Sequence, residues 1–188
     1  MELPQSLVFF QTTKEILYKM ILTGNDIKEK IETGEIVISP FHPENVNPNS
    51  VNYHLGDTYI ELSTDAVIDP KDPISFESKP IPASGLTLKP GRIYLCNTLE
   101  IIGSKTYVTS LIGRSSIGRL GLFLQVSADL GHQGEIHRWT LELKCVKPVI
   151  IYPRMTIGQI TFWHTVGSAF EKEGFYTLFD LPTLSKGI

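Results

Sequence analysis

Cysteine is scarce in this chain. Its 188 residues hold two, Cys96 and Cys145, too few and too far apart to define a disulfide framework, so a reducing cytoplasm is the expected setting. No apolar run approaches the roughly 20 residues needed to span a bilayer. The opening Met1-Glu2-Leu3-Pro4 also lacks the basic start of a signal peptide. A soluble, unexported protein with no membrane partner is therefore expected. Excess positive charge is missing too: the formal net charge is −3, so no global field would hold a long nucleic acid, whereas a small phosphorylated ligand needs only a local patch. No repeat or low-complexity tract is visible. What the chain does have is 41% hydrophobic residues, enough to bury a core at this length, which suggests one globular domain with room for a small second one.

Residues 1–19 read as a leader, and 20–188 as the domain proper. Between Thr12 and Met20 the apolar spacing allows one or two helical turns that dock on the body or on a neighbouring subunit. A clearer helix is predicted from Asn25 to Thr33, with Thr23 as N-cap, Asp26 completing a capping box and Gly34 as the stop; Ile27 and Ile31 give it one buried face. After Gly34 the texture turns to β. Strands are expected over 35–39 and 50–62, where Val51, Tyr53, Leu55 and Tyr59 alternate with polar residues around Gly56. Residues 40–48 form a loop between them, and 64–91 one long excursion that ends at Pro90-Gly91. Further short strands are predicted near 92–97, 106–112, 120–127, 137–146, 149–152 and 156–163. Short strands at this spacing indicate a mainly β barrel or jelly roll, not a parallel sheet with crossover helices.

The densest chemistry lies in Gly113-Arg114-Ser115-Ser116-Ile117-Gly118-Arg119-Leu120-Gly121-Leu122. Gly113 to Gly118 imitates the opening of a P-loop, but Arg119 and Leu120 stand where Lys and Ser/Thr would hold phosphate and magnesium. His42-Pro43-Glu44 matches the H-x-E of zinc-dependent cytidine deaminases, yet the P-C-x-x-C that completes such a site has no counterpart, which argues against zinc. A plain turn with solvated arginines would account for the composition of the segment. Against that, Gly113 and Gly118 would allow close backbone approach, and Arg114 and Arg119 would offer planar forks to phosphate or carbonyl oxygens. Glu142 is equally double-edged. Alternation puts Trp139, Leu141, Leu143 and Cys145 on one strand face and Thr140, Glu142 and Lys144 on the other, which also fits a solvent-facing carboxylate.

Beyond composition, Gly113-Arg114-Ser115-Ser116-x-x-Arg119-x-Gly121-Leu122 resembles the signature segment of the dCTP deaminases, the metal-independent deaminase branch of the dUTPase superfamily. The likeness runs over nearly the whole chain after the leader. Met20-Ile21-Leu22 and the helix behind it, Pro48-Asn49-Ser50-Val51-Asn52-Tyr53-His54-Leu55-Gly56, Leu88-Lys89-Pro90-Gly91 with Thr98-Leu99-Glu100, and Pro153-Arg154-Met155-x-Ile157-Gly158-Gln159 follow in the family's order. Pro182-Thr183-Leu184-Ser185 is similar to the end of its tail. The resemblance implies a dUTPase-like distorted β-barrel or jelly roll with a short N-terminal helix, assembled as a homotrimer with interfacial active sites.

It also implies roles. Glu142 would be the proton shuttle. Ser115 and Arg119 would hold the attacking water and the pyrimidine, with the Ala128 carbonyl, in Val126-Ser127-Ala128, also on the water. Arg114 and Ser116 would bind phosphate, Asp129 would lie near the deoxyribose, and Gln159 near the nucleotide. Mg²⁺ would bridge the triphosphate. The expected reaction is hydrolytic deamination of a cytosine deoxynucleotide, dCTP to dUTP and ammonia. Other outcomes compatible with the resemblance are a pyrophosphatase or bifunctional enzyme that releases dUMP, and a nucleotide-binding module without catalysis. Several departures are visible. Residues 129–138 leave the family's His-Arg-x-Asp-Pro-Gly-Trp pattern, Asn52 replaces an aspartate and Arg154 a glycine, and Gly174 to Asp180 lacks a Lys-Tyr-Gln-like run.

Overall fold

The computed structural model describes residues 20–62, 67–71, 76–124, 128–168 and 181–185. The leader, the run from Gly174 to Asp180, and Val126 and Ser127 lie outside these. The first described helix, α1 (Gly24–Glu32), starts where the sequence indicates: the Thr23 hydroxyl accepts from the Asp26 backbone N–H. The box is not reciprocal, however, because the Asp26 carboxylate takes the Thr23 hydroxyl proton at 2.9 Å instead of reaching back to a backbone N–H. Ile27 is fully buried, and Gly34 in the left-handed region (φ 77°) ends the element.

Among the described residues fifteen strands follow. They are β1 (Ile36–Ser39), β2 (Val46–Asn47), β3 (Ser50–His54), β4 (Thr58–Leu62), β5 (Lys79–Pro80), β6 (Leu86–Leu88), β7 (Ile93–Asn97), β8 (Ile101–Ser104), β9 (Val108–Gly113), β10 (Leu122–Leu124), β11 (Leu130–Gly131), β12 (Ile136–His137), β13 (Thr140–Cys145), β14 (Val149–Ile151) and β15 (Thr156–Trp163). The protein is mainly β, as expected. Differences are local. The predicted loop at 40–48 contains a 3₁₀ turn, Pro43–Asn45, and β2; the long excursion carries β5 and β6; and β8 is absent from the sequence reading.

Two five-stranded antiparallel sheets dominate, in the orders β10-β13-β7-β4-β5 and β11-β9-β15-β3-β2. A three-stranded sheet, β1-β8-β12, and the pair β14-β6 complete the described pairings. The core forms where the inward faces meet: Tyr53 from β3, Phe162 from β15, Leu111 from β9, and Leu141 and Leu143 from β13 are each no more than 1% exposed. Each such side chain contributes roughly 1.5–3 kcal/mol through burial. The same alternation that buries these residues fixes which residues face outward, and so places the candidate site.

Candidate active site

β9 delivers the Gly113–Leu122 segment. Arg114 stays extended (φ −94°, ψ 143°), and Ser115–Gly118 then make one helical turn, α2. The Arg114 carbonyl accepts from the N–H groups of Ile117 (3.0 Å) and Gly118 (2.9 Å), and the Ser115 carbonyl from Arg119 (3.0 Å). Ile117, 8% exposed, pins the turn to the core. Ser115, Ser116 and Arg119 are left exposed and Arg114 half-buried, so hydroxyls and guanidiniums face outward from a fixed backbone. The glycine this backbone requires is Gly121 (φ 82°), with the Val146 side chain where a Cβ would go. Gly113 and Gly118 take ordinary φ, and no atom lies within 4 Å of a Cβ built at Gly118.

Glu142 sits at the centre of β13, between β7 and β10. Leu141, Leu143 and Cys145 turn inward as alternation predicts. The outer face is less simple than a solvated one. Direct cross-strand neighbours share a face, and the register sets Glu142 opposite Leu95, which is in turn opposite Ile60. Both apolar neighbours are buried, and Glu142 itself is half-buried. The tail contributes here: the Thr183 N–H donates to the Thr140 hydroxyl at 3.2 Å, two residues from Glu142 on the same face. No motif or spacing in the sequence signals that contact.

Asp129 and Gln159 belong to the other large sheet. The Asp129 carbonyl accepts from Leu111 N–H (2.8 Å), and its carboxylate accepts from the Ser110 hydroxyl (3.0 Å). This exposed carboxylate is thus anchored to β9, and Ala128 is exposed beside it. The departure from the family pattern at 129–138 is a regular turn between β11 and β12, closed by His132 N–H on the Glu135 carboxylate (3.0 Å). Gly131 lies against the Trp139 ring and Thr109 and leaves no space for a Cβ. On β15, Gln159 stands between Asn52 of β3 and Ile112 of β9. Its Oε1 accepts from the Ser50 hydroxyl at 2.6 Å.

The structure therefore groups the candidates in two sets. Gln159, Asp129 and the start of the Arg114 segment share the sheet centred on β15, where Gly113 pairs with Gly158. Glu142 lies on the β13 sheet. The Arg119 turn meets that sheet at its far end, through Val146 N–H on the Gly121 carbonyl (3.0 Å), with Glu142 about 13 Å back along the chain at the usual strand rise. A separate cavity of about 240 Å³ is lined by His42, Glu44, His54 and Glu100 among others, and by none of the sequence candidates. Within it His54 Nδ1 lies 2.5 Å from the buried Glu100 carboxylate. Ser50, Asn47 and Ser110 are the polar residues that sequence reasoning missed. The alternation of Ser50, Asn52 and His54 opposite buried Val51 and Tyr53 was the available signal.

Residues 21–165 match the family described as dCTP deaminase-like. The chain is 45% identical over 153 residues to a dCTP deaminase of Rhodopirellula baltica, covering 81% of this chain and 76% of that one. It is 43% identical over 159 residues to a dUMP-forming dCTP deaminase of Cytophaga hutchinsonii, covering 84% of this chain and 90% of that one. In fold it is similar to the crystal structure of 2′-deoxycytidine 5′-triphosphate deaminase from Agrobacterium tumefaciens, with a TM-score of 0.62 at 18% identity over 78% of this chain; it spans 48% of that longer chain. A half-buried strand glutamate, a turn that exposes Ser115, Ser116 and Arg119, and these relatives agree, and the chain belongs to the dCTP deaminase-like family.

Proposed function

We propose that this chain removes the 4-amino group of a cytosine deoxynucleotide, converting dCTP and water to dUTP and ammonia. The observation that carries the reading is the setting of Glu142, a half-buried carboxylate whose strand face is shared with buried Leu95 and Ile60 in a chain 45% identical to a dCTP deaminase. Water is a weak nucleophile at neutral pH, so the attack on C4 needs a base. Glu142 takes a proton from the water as its oxygen bonds to C4 and passes that proton to N3. It then takes the remaining hydroxyl proton and delivers it to the amino nitrogen, and ammonia leaves as the C4 carbonyl forms. Ser115, able to accept and donate, positions the water with the Ala128 carbonyl. Arg119 holds the pyrimidine, Arg114 and Ser116 the phosphates, and Asp129 the sugar.

Magnesium would arrive on the triphosphate. Among the described residues no three His, Cys, Asp or Glu side chains converge on one point, and Asn52 offers a neutral amide already engaged by Asn47. The phosphate oxygens would thus hold the ion and the ion would offset their charge. The separation of the Arg119 turn from Glu142 within one chain is accounted for if a second copy completes the site, so the reading includes a homotrimer of distorted β-barrels with interfacial active sites. Two buried thiols, Cys96 and Cys145, suit a reducing cytoplasm.

Incubation of the purified protein with dCTP and Mg²⁺, with ammonia, dUTP, dUMP and pyrophosphate followed together, tests the reading. Ammonia with dUTP is expected. Glu142→Gln should lower deamination by at least about 10²–10⁴-fold while nucleotide still binds, since the base contributes that much; full activity in this variant would sink the assignment of the base. A second reading is favoured by the dUMP-forming names of relatives at 43% and 42% identity and by the anchored Asp129 carboxylate. There Asp129 would orient a second water at the α-phosphate, and dUMP and pyrophosphate would replace dUTP.

A further inference from the structure

A chain of side-chain hydrogen bonds runs across the outward face of β2 and β3 and ends at Gln159. Ser50 and Asn52 share that face because the residues alternating with them, Val51 and Tyr53, are buried in the core. Asn52 is directly opposite Gln159 in the register, which puts Ser50 one diagonal step away, within side-chain reach. Asn47 is paired with Ser50 from β2. Its Nδ2 donates to the Ser50 hydroxyl oxygen at 3.2 Å and to Asn52 Oδ1 at 3.0 Å. With its oxygen accepting, Ser50 has one proton to give, and gives it to Gln159 Oε1 at 2.6 Å.

The network sets the amide orientation. Asn47 Nδ2 donates to both Ser50 and Asn52, so the Ser50 proton is directed to Gln159, which meets it with its carbonyl oxygen. The carbonyl end of Gln159 is therefore the end tied to Ser50, which leaves both N–H donors of Nε2 to a ligand. Gln159 lies beside Ile112, and the next β9 residue, Gly113, leads into Arg114, Ser115 and Ser116. An amide turned the other way would present its carbonyl oxygen to an anion bound there.

We infer that Ser50, itself held by Asn47, is a positioning residue that fixes the Gln159 amide with its N–H donors toward the phosphate side of the nucleotide. Ser50 is 6% exposed and acts through Gln159, not on the substrate. Charge comes from the arginines and orientation from the amide. This inference rests on the deaminase reading and adds to it a residue chosen for hydrogen-bond direction.

Steady-state deamination of dCTP by the full chain tests it, in wild type, Ser50→Ala, Gln159→Ala, the double variant and Gln159→Glu. Losing one neutral hydrogen bond that acts on binding should raise KM about fivefold in Ser50→Ala, with kcat within about twofold. In the Gln159→Ala background the same change should have no further effect on KM, because its target is gone. Gln159→Glu keeps an acceptor for the Ser50 proton but replaces both donors with negative charge, so its KM should exceed that of Gln159→Ala. An unchanged KM in Ser50→Ala, or an equal rise in both backgrounds, would overturn the inference. If Ser50→Ala does not fold, Asn47→Ala, which removes the donor that holds Ser50, decides in its place: an unchanged KM overturns the inference, and a rise that disappears in the Gln159→Ala background supports it. A wild-type chain that releases no ammonia would overturn the deaminase reading and this inference with it, whereas an active wild type with an indifferent Ser50 overturns only the inference.

Discussion

Arg154 holds a backbone conformation, φ 62°, that glycine adopts freely and that costs a Cβ-bearing residue roughly 1 kcal/mol or more. The family pattern that the chain resembles implies a glycine at the middle of Pro153-Arg154-Met155, and the structure shows what surrounds the arginine there. The guanidinium forks onto Asp57, Nε to Oδ1 at 3.2 Å and Nη2 to Oδ2 at 3.1 Å, and the Arg154 N–H donates to the Leu55 carbonyl at 3.0 Å. Both side chains are largely exposed, so solvent screens the pair and it offsets only part of the strain. Arg154→Gly should therefore melt at or slightly above wild type, and Arg154→Ala, which keeps the strain and loses the fork, about 3 °C below Arg154→Gly. Circular dichroism melts would check the order, and equal melting of the Ala and Gly variants would remove strain from the account. Residue identity alone signalled an unusual position here, but neither the left-handed backbone nor the Asp57 partner, 97 positions away, can be read from a one-dimensional string.

β15 is the central strand of its five-stranded sheet, with β3 paired along one edge and β9 along the other. Gly158 makes that possible: the buried Tyr53 ring occupies the place of its missing side chain, with Gly113 opposite on β9. Gly158→Ala should force the ring or the strand to move and cost about 1–3 kcal/mol, a drop in Tm of roughly 3–10 °C. Because Gln159 is the next residue, KM for dCTP should rise in the same variant; a stable protein with wild-type KM would show that the ring yields without disturbing the strand. Elements of this kind were readable wherever one face is buried. The alternation in β13 and the Thr23 and Gly34 signals of α1 depend on local chemistry, and all appear in the sequence. β8 was not readable because Ile101-Ile102-Gly103-Ser104 is short and carries a glycine, and that glycine is there because the Glu135 carbonyl and the Ile136 backbone press on it from another strand. The turn of α2 is too short for any helical period to show, and only Ile117 marks its buried side.

At the scale of the whole molecule, sequence separated the candidate residues from their background but not from one another. Ser115, Arg119 and Glu142 were found as types in order, whereas their division between two sheets depends on pairings such as β9 with β15 that join positions nearly fifty apart. The same long-range packing buries groups whose titration the sequence could not anticipate. Burial pushes the Cys96 thiol up to about 12 from an ordinary 9.0. It raises Tyr53 too, with the Glu100 charge adding to the effect, and burial is the main cause of the upward shifts of Cys145, Tyr94 and Tyr107. Each of these groups is neutral when protonated, so the folded chain keeps protons that the unfolded chain gives up. Below about pH 9 both states hold them and the contribution to stability is complete; as pH rises from there toward the folded values, the unfolded state is favoured and stability falls. Urea unfolding between pH 7 and 11 should show a plateau followed by a decline above about pH 9, of which Cys96 alone accounts for about 2 kcal/mol by pH 10.5. Cys96→Ala should start from a lower plateau, since it leaves a small cavity, and then decline less steeply. The difference in slope carries the test: a variant that loses stability with pH as fast as wild type would show that the Cys96 proton plays no part in the alkaline transition.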